Sequence, residues 1–256
     1  MISPSKIKNY PHFLFALYEV QRAHNILNSP LFLRLLQKHK LLMSLTIQKF
    51  TFNPFQENTF VVHDGTHCVI IDPGCYHKME QEELCNYIDD ENLTPAAILL
   101  THAHLDHVFG CDFVQKHYDL DVYMHEADIF TLEMGERSAS MYGIPGFVKP
   151  KTPNKLLKGG EILEFGTMQF EVAFTPGHCV GHVVYVNREN GFVINGDVLF
   201  AGSYGRVDLP GGNMEILKKS IFEVMFKLPD DMVVYSGHGP ETTIGKEKSS
   251  NFILQS

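Results

Sequence analysis

The sequence feature that most constrains this chain is a group of histidines that directly follows a short apolar run. Residues 96–100 read Ala-Ala-Ile-Leu-Leu after a proline, which is typical of a short buried β-strand. Residues 101–107 read Thr-His-Ala-His-Leu-Asp-His, so imidazoles and a carboxylate stand at the end of that strand. This combination suits zinc, iron or manganese better than calcium or magnesium. The stretch therefore predicts a metal site rather than a histidine-rich surface loop.

The spacing within this stretch predicts two neighbouring pockets of ligands. His102 and His104 share a face, because residues two apart in an extended chain point the same way. Asp106 and His107 fall where the chain turns toward a helix, so their side chains point elsewhere. The two pairs are expected to lie side by side.

Three more candidate ligands stand in turns of the second half of the chain. His178 ends a Thr-Pro-Gly-His turn, Asp197 ends an Asn-Gly-Asp turn, and His238 lies in a Ser-Gly-His-Gly turn. Any one of them alone is more often an ordinary turn residue. Because each follows a predicted strand, and loops at strand ends present functional groups on a rigid scaffold, we predict that they join the first stretch in one site. These strands are predicted at residues 168–174, 192–194 and 231–235.

Other residues near these motifs are predicted to support the site or to lie outside it. Asp72 is expected to accept backbone N–H bonds from the histidine loop rather than to bind metal directly. His182 begins a strand and is expected at most to contact a ligand from behind, and Cys179 is expected to be a packing residue. The histidines expected to be ordinary residues are His63, His67, His77, His117 and His125.

Composition argues against several classes of partner. The 256 residues carry a formal net charge of -9 and no basic stripe, which disfavours nucleic acid held by phosphate contacts. No apolar run approaches the roughly eighteen residues that span a bilayer, so no membrane partner is expected. The five cysteines are odd in number and form no CxxC pair, which favours reduced thiols in the cytoplasm. The expected partner is a small-molecule substrate, and the oligomeric state is left open.

The chain is predicted to contain one compact domain at residues 43–256, preceded by an extension at residues 1–42. A strand pattern begins just after Met43, whereas the extension carries no motif that pairs with the metal chemistry. Residues 31–36 within it are predicted to form a short amphipathic helix. We interpret the extension as an appendage, or as the product of a start codon assigned too far upstream.

Hydrophobic periodicity predicts strands and helices across the domain. Further strands are predicted at residues 46–52, 58–62, 68–71, 121–124, 161–165 and 183–186. Helices are predicted at residues 79–88, 108–117 and 127–141, and from a cap at Asn213 to Lys227. Residues 142–155 contain several glycines and prolines and are predicted to form a long loop near the site.

The order and spacing of these motifs resemble those of the metallo-β-lactamase superfamily over residues 43–245. Within the superfamily, residues 196–200 and 205–212 are similar to glyoxalase II, the hydroxyacylglutathione hydrolase branch, and especially to its short single-domain members. The motifs that carry the resemblance are His102-x-His104-x-Asp106-His107, Thr175-Pro176-Gly177-His178, Gly196-Asp197, Gly237-His238-Gly239 and Asp72-Pro73-Gly74.

The resemblance implies an α+β fold, a four-layer αββα sandwich with a binuclear metal site at its edge. The metals expected are two divalent ions, zinc in the first place, with iron or manganese as alternatives. The implied ligands are His102, His104 and His178 for one metal, Asp106, His107 and His238 for the other, and Asp197 as the bridge.

The implied reaction is hydrolysis of a thioester or related ester, in which S-2-hydroxyacylglutathione yields glutathione and a 2-hydroxy acid. A bound metal can lower the pKa of water from 15.7 toward about 7, so hydroxide becomes available at neutral pH. Asp106 is expected both to bind metal and to orient this hydroxide. No serine or cysteine nucleophile is required.

The chain departs from glyoxalase II after His238, and other functions stay open. Only eighteen residues follow it (256 − 238), too few for the C-terminal helical domain that supplies much of the glutathione pocket in that branch. Arg206 and Asp208 are expected to pair structurally. The alternatives are a persulfide dioxygenase with a single iron and a lactonase or β-lactamase, since the same hydroxide opens cyclic esters and amides. A nuclease is disfavoured by the acidic charge.

Overall fold

The structure is a computed structural model that describes residues 44–255. Within this range two six-stranded sheets face each other, and helices cover their outer faces. The strands are β1 (Thr46–Phe52), β2 (Glu57–His63), β3 (His67–Ile71), β4 (Thr94–Leu99), β5 (Val122–His125), β6 (Lys155–Leu157), β7 (Ile162–Phe165), β8 (Met168–Phe174), β9 (Val183–Asn187), β10 (Phe192–Gly196), β11 (Leu199–Phe200), β12 (Ser203–Tyr204), β13 (Val233–Ser236) and β14 (Thr242–Thr243). The α-helices, numbered within the same range, are α1 (Lys78–Asp90), α2 (Cys111–Tyr118), α3 (Ile129–Glu133), α4 (Gly135–Met141), α5 (Met214–Glu223) and α6 (Ile244–Ser250).

Strand direction places several strand ends at one edge of the second sheet. The first sheet has the order β1-β2-β3-β4-β5-β6 and is parallel from β3 onward. The second has the order β14-β13-β10-β9-β8-β7. Strands β8 and β10 are both antiparallel to β9, and β13 is parallel to β10, so β8, β10 and β13 run the same way. The turns after these three strands therefore leave the sheet at a common edge.

Alternation along the strands divides the apolar residues among three buried layers. On β2, Phe60 and Val62 pack between the two sheets, whereas Val61 packs on the side of α1. Each fully buried aliphatic side chain contributes roughly 1.5–3 kcal/mol relative to exposure. The predicted four-layer αββα sandwich of the α+β class is confirmed. The helical residues that close its outer layers include Leu84 and Ile88 of α1, Val114 of α2, Leu217 and Ile221 of α5 and Ile244 of α6.

The helix predicted to begin near Val108 begins later. Residues Leu105–His107 form a 3₁₀ turn, and α2 starts only at Cys111. The Gly110 N–H donates to the Pro73 carbonyl at 2.8 Å, and a Cβ on Gly110 would lie 2.2 Å from the Cys75 Sγ. The chain is therefore held against residues 73–75 before the helix starts, and this tertiary contact overrides the local pattern.

The single helix predicted at residues 127–141 is divided. A 3₁₀ turn at Glu126–Asp128 is followed by α3 and α4, with Met134 between the two helices. Gly135 weakens a continuous helix at this point, by roughly 0.5–1 kcal/mol relative to alanine. Its missing side chain makes room for the Phe147 ring, which would lie 3.1 Å from a Cβ. The segment therefore forms two short helices instead of one.

Several short elements were not predicted. Strand β6 lies at the end of the predicted long loop, and β11, β12 and β14 have two residues each. Strands of this length carry too little periodicity to be recognised. Helix α6 also escaped prediction, because its sequence Ile-Gly-Lys-Glu-Lys-Ser-Ser is poor in strong apolar signals. Helix α5 ends at Glu223 rather than Lys227, and residues 225–227 form a 3₁₀ turn.

The predicted extension at residues 1–42, with its helix at 31–36, lies outside the described residues. Its boundary with the domain at residues 43–256 stays a prediction. Among residues 44–255, no helix has both the length and the apolar content needed to cross a membrane.

One buried hydrogen bond joins the two sheets directly beneath the histidine stretch. Tyr185 on β9 is fully buried, and its hydroxyl donates to the Leu100 carbonyl at 2.8 Å. Leu100 directly precedes the Thr-His-Ala-His-Leu-Asp-His stretch. This bond therefore fixes the distance between the start of that stretch and the second sheet. Removing the donor leaves a buried carbonyl unpaired, which costs about 1–3 kcal/mol.

We predict that Tyr185→Phe lowers the free energy of unfolding by about 1–3 kcal/mol, measured by urea denaturation. Tyr235→Phe is the matched control, because the half-buried Tyr235 hydroxyl has no hydrogen-bond partner among the described residues. The control should change stability by less than about 0.5 kcal/mol. Equal losses in the two variants would contradict a specific role for the bond between the sheets.

Candidate metal centre

All seven predicted ligands meet at the edge of the sandwich where the strand ends converge. The loop after β4 carries four of them, and the turns after β8, β10 and β13 each carry one. Apart from Asp197, they fall into two groups of three, and within each group the ligand atoms lie within 4.8 Å of one another. We call them the three-histidine group (His102, His104 and His178) and the aspartate–histidine group (Asp106, His107 and His238).

In the three-histidine group His102 and His178 are buried and His104 is half-buried, and the group presents bare ring nitrogens to its centre. Nδ1 of His178 donates to the Arg206 carbonyl at 2.7 Å, which leaves Nε2 as a lone-pair donor. Nε2 of His178 and Nδ1 of His104 face each other at 2.8 Å. Nδ1 of His102 lies 3.0 Å from the Thr101 hydroxyl, and its buried Nε2 has no partner. Ring nitrogens this close require a proton or a cation between them.

The aspartate–histidine group is built in the same manner. Nδ1 of His107 donates to Asp72 at 3.1 Å, and Nδ1 of His238 donates to the Gln56 carbonyl at 3.2 Å. The Nε2 atoms of the two imidazoles then point at Asp106, at 3.8 Å for His107 and 3.1 Å for His238. The carboxylate and two ring nitrogens thus converge from opposite sides.

Asp197 lies between the two groups. Its Oδ2 is 3.6 Å from Nε2 of His178 and 3.5 Å from Nε2 of His238, so one oxygen faces both groups. Its Oδ1 is 3.6 Å from Nε2 of His107 and is buried without a hydrogen-bond partner. Gly196, with φ of +51°, allows the sharp turn that presents this carboxylate, and a Cβ there would lie 2.4 Å from the Thr101 Oγ1.

Asp72 is placed as the sequence predicted, behind the ligands. Its carboxylate accepts the Thr101 N–H at 2.7 Å, the Thr101 hydroxyl, and the His107 ring N–H. Although Asp72 lies close enough to His102 and His107 to be a ligand, both of its oxygens already have donors. It therefore orients His107, a contact that typically fixes both tautomer and ring position.

His182 has a larger structural part than the sequence indicated. Its Nε2 accepts the Asp197 N–H at 3.0 Å, and its ring stacks on His102 with centroids 4.7 Å apart. It thus contacts both His102 and the carboxylate residue between the two groups without itself facing the centre. The only sequence signal is its position four residues after His178, in the same turn. Cys179 is fully buried, as expected of a packing residue.

The residues expected to be ordinary stay away from the centre. His63 is hydrogen-bonded to the Tyr87 hydroxyl at 3.0 Å, and His125 stacks on Phe174 with centroids 4.2 Å apart. His117 stacks on Phe113 within α2. Of the remaining two, His67 lies near Asp64, and His77 caps α1.

Burial and nearby charges shift the pKa values of histidines in the two groups in opposite directions. Burial lowers the pKa of His102 well below its usual value and that of His104 to about 3, so both rings are neutral ligands near neutral pH. Burial also acts to lower the pKa of His107, but the Asp106 and Asp197 charges outweigh it and raise the pKa well above the usual value. For Asp197 the penalty of burial is outweighed by His107, and its pKa is lowered. The carboxylate is therefore ionised at neutral pH.

The donor set fits a pair of divalent cations. Buried atoms without a partner among the described residues include Nε2 of His102, Nε2 of His107 and Oδ1 of Asp197, and all three point into the centre. Leaving such a group unpaired costs about 1–3 kcal/mol, so the arrangement calls for bound cations. Imidazole nitrogens with a few carboxylates suit zinc, iron and manganese.

The centre opens on a cavity of about 640 Å³. Asp106, His178, Asp197 and His238 form its floor, and α3 and α4 form one wall. The apolar residues that line it include Phe55, Leu105, Met134, Met141, Phe200, Leu209 and Pro210. The polar residues include Thr131, Arg137, Ser138, Tyr142, Tyr204 and Arg206.

Comparison with known proteins agrees with this fold and this geometry. The model of the metallo-β-lactamase superfamily matches residues 52–238, and the chain therefore belongs to that superfamily. It is 40% identical over 210 residues to the Probable metallo-hydrolase YqgX of Bacillus subtilis, covering 81% of this chain and 96% of the relative. It is 35% identical over 214 residues to the Hydroxyacylglutathione hydrolase GloC of Haemophilus influenzae, covering 83% and 99%.

Two solved structures are similar over nearly the same range. The BLEG-1 B3 metallo-β-lactamase has a TM-score of 0.76 and 37% identity, covering 82% of this chain and all of the other. TTHA1623, in a di-iron-bound form, has a TM-score of 0.73 and 39% identity, covering 81% and 100%. The predicted superfamily is thus confirmed. The glyoxalase II branch is not, because these relatives carry different names.

We predict that the purified protein binds about two equivalents of divalent metal per chain, measured by elemental analysis. His238→Ala should retain about one equivalent, because the three-histidine group is intact in that variant. His117→Ala, in a helix away from the centre, is the control and should keep both. A wild-type content of about one equivalent, all iron, would contradict a binuclear site and favour the dioxygenase alternative.

Proposed function

We propose that this protein is a binuclear metal-dependent hydrolase that cleaves thioesters, of the hydroxyacylglutathione hydrolase type. The observation that carries the proposal is the position of Asp197 between two ligand groups that share the floor of one cavity. A site of this form serves hydrolysis, since both a nucleophile and a polarised carbonyl are required within a few ångströms of each other.

In this proposal the three-histidine group would hold one metal and the aspartate–histidine group the other, with Asp197 facing both groups. Bound metals of this kind activate water and polarise a carbonyl oxygen at neutral pH. Zinc is our first choice, with iron supported by the di-iron form of TTHA1623 and manganese as a further alternative.

Asp106 is the residue of the chain best placed to act on the attacking water. Its carboxylate lies 3.1 Å from Nε2 of His238 and lines the cavity. Burial acts to raise its pKa, but the His107 charge and the His238 hydrogen bond outweigh burial, so the pKa lies below its usual range. An ionised carboxylate at this position accepts a hydrogen bond from water and orients a lone pair toward the substrate carbonyl.

The cavity determines what the substrate can be. Its walls are largely apolar, which suits an acyl chain or the carbon skeleton of a carrier thiol. Arg206 is held by Asp208 through bonds of 2.7 and 2.6 Å, so its charge is already partnered, as expected from the sequence. Its carbonyl meanwhile orients His178. The segment therefore orients the predicted metal ligand His178 more directly than it binds the carrier thiol of a substrate.

Three observations support the finer assignment to thioesters in the cytoplasm. GloC is 35% identical over nearly its whole length. The residues similar to glyoxalase II, 205–212, lie at the cavity and include Arg206, Leu209 and Pro210. The five cysteines are all free, and four are buried, which is consistent with a reducing compartment. The similarity to BLEG-1 makes β-lactam hydrolysis the second candidate.

The test is a panel of substrates offered to metal-replete protein: a glutathione thioester, a lactone, a β-lactam and a persulfide. The proposal predicts that kcat/KM is highest for the thioester. A higher kcat/KM for the β-lactam or the lactone would show that the proposed substrate class is wrong but that the protein is a hydrolase. Oxygen consumption with the persulfide would show that the protein is a dioxygenase rather than a hydrolase.

Carrier binding is expected to be weak. Because the cavity walls are largely apolar and Arg206 is already paired with Asp208, loss of the carrier should change KM more than kcat. We predict that S-lactoylglutathione is hydrolysed but saturates poorly, and that a smaller thioester of the same acyl group loses less than about tenfold in kcat/KM. Steady-state kinetics on the two substrates measure this. A low-micromolar KM with a large loss on truncation would contradict it.

Asp197→Ala should lower kcat/KM for the best substrate by more than about 100-fold, because it removes the carboxylate that faces both groups. Asp230→Ala is the matched control, since Asp230 is exposed and pairs with Lys248 on the surface. The control should retain nearly full activity. Comparable activities in the two variants would remove Asp197 from the site.

A further inference from the structure

A buried carboxylate lies behind the three-histidine group and has no place in the proposed metal binding. Asp128 is the last residue of the 3₁₀ turn that follows β5, and it is fully buried. Nothing in the sequence marked it, since it falls at the start of a predicted amphipathic helix. Its side chain contacts the loops that carry the three histidines.

The Asp128 carboxylate is hydrogen-bonded to both loops that carry the three histidines. Its Oδ2 accepts the Ala103 N–H at 2.6 Å, and Ala103 stands between His102 and His104. Its Oδ1 accepts the Gly181 N–H at 3.1 Å, in the turn that begins with His178. The first loop leaves β4 in one sheet, and the second joins β8 to β9 in the other. One side chain thus sets the distance between loops from two different sheets.

Close packing reinforces these bonds. A Cβ on Gly181 would lie 2.3 Å from both the backbone nitrogen and the Cβ of Asp128, so only glycine lets the turn approach this far. The Thr131 hydroxyl donates to Oδ1 at 2.7 Å, and the Cys179 thiol also bonds to the carboxylate. The carboxylate is thus surrounded by two backbone N–H groups, a hydroxyl and a thiol, all of them donors. An ionised carboxylate has enough lone pairs to accept from all four.

We propose that Asp128 is a positioning residue that holds His102, His104 and His178 at the separation needed to bind one metal ion. The inference rests on the proposed metal binding by the three-histidine group. An asparagine in its place keeps the shape but turns an NH₂ toward a backbone N–H, so one of the two loops loses its bond. A loop that moves by a few tenths of an ångström carries its imidazole with it.

The effect is confined to one metal because the other group has its own support. Asp72 holds His107, and the Gln56 carbonyl holds His238. Neither of these contacts involves Asp128. Contacts of this kind behind metal ligands are typically worth about 10–100-fold in metal affinity. Asp128 should therefore act on the affinity of the three-histidine group and leave that of the aspartate–histidine group nearly unchanged.

The experiment measures cobalt(II) affinity in two backgrounds by competition with a chelator, together with the visible absorption of the bound cobalt. His238→Ala leaves the three-histidine group intact, and His178→Ala leaves the aspartate–histidine group. Asp128→Asn is added to each. We expect it to weaken cobalt binding about 10–100-fold and to alter the absorption band in the first background, with less than about threefold change in the second.

Controls separate positioning from loss of stability. Ile88→Ala removes buried volume from the layer under α1, far from the metal centre, and should lower the melting temperature while leaving both cobalt affinities unchanged. Asp230→Asn repeats the chemical change at an exposed site and should leave the affinities and the melting temperature unchanged.

Three outcomes would overturn the inference. Unchanged cobalt affinity in the His238→Ala background, or equal weakening in both backgrounds, would reduce Asp128 to a purely structural residue. If the His238→Ala protein itself binds no cobalt, the ligand assignment fails and the inference falls with it. Should Asp128→Asn not fold, Asp128→Glu replaces it, because it keeps the charge but moves both acceptor oxygens by one methylene relative to the Ala103 and Gly181 N–H groups. Unchanged affinity in that variant also overturns the inference.

Discussion

The structure depends on a concentration of imidazoles and carboxylates at one edge of the sandwich, where four of the imidazoles are hydrogen-bonded from behind. His102, His107, His178 and His238 all use Nδ1 for a contact with the protein, to a hydroxyl, a carboxylate or a carbonyl. The Nε2 lone pairs that remain are directed at a common centre. Buried polar atoms without a partner destabilise the fold, so the rest of the molecule must hold the ligands in place. Bound cations would give these atoms a partner and remove that cost.

Two buried aspartates give the centre its rigidity from opposite sides. Asp72, at the end of β3, binds Thr101 and His107, and Asp128, after β5, binds Ala103 and Gly181. The loop after β4 is thus held between two carboxylates of its own sheet. Fixed dipoles and charges that need no rearrangement during a reaction are the main means by which proteins stabilise developing charge.

The cavity above the centre belongs mostly to other segments. Helices α3 and α4 supply one wall and residues 200–210 supply another, so the reacting centre and the substrate pocket have separate origins in the chain. Relatives that share the ligands can therefore differ in what they bind. This separation is consistent with the different names carried by GloC and BLEG-1, which are similar to this chain to almost the same degree.

The resemblance to the metallo-β-lactamase superfamily implied the fold class, and the sequence by itself predicted the strands that carry the ligands and the seven residues that meet at the edge. It could do so because ligands at strand ends leave a local signature of apolar run, turn residue and histidine or aspartate. Tertiary structure alone decided that Asp72 accepts the His107 ring N–H in addition to the predicted backbone N–H, and that Asp128 joins Ala103 to Gly181. It also decided that residues 126–141 break into three pieces and that α2 starts at Cys111. These features follow from contacts between residues far apart in the chain, such as the hydrogen bond from Gly110 to Pro73, and no local pattern encodes a distance of that kind.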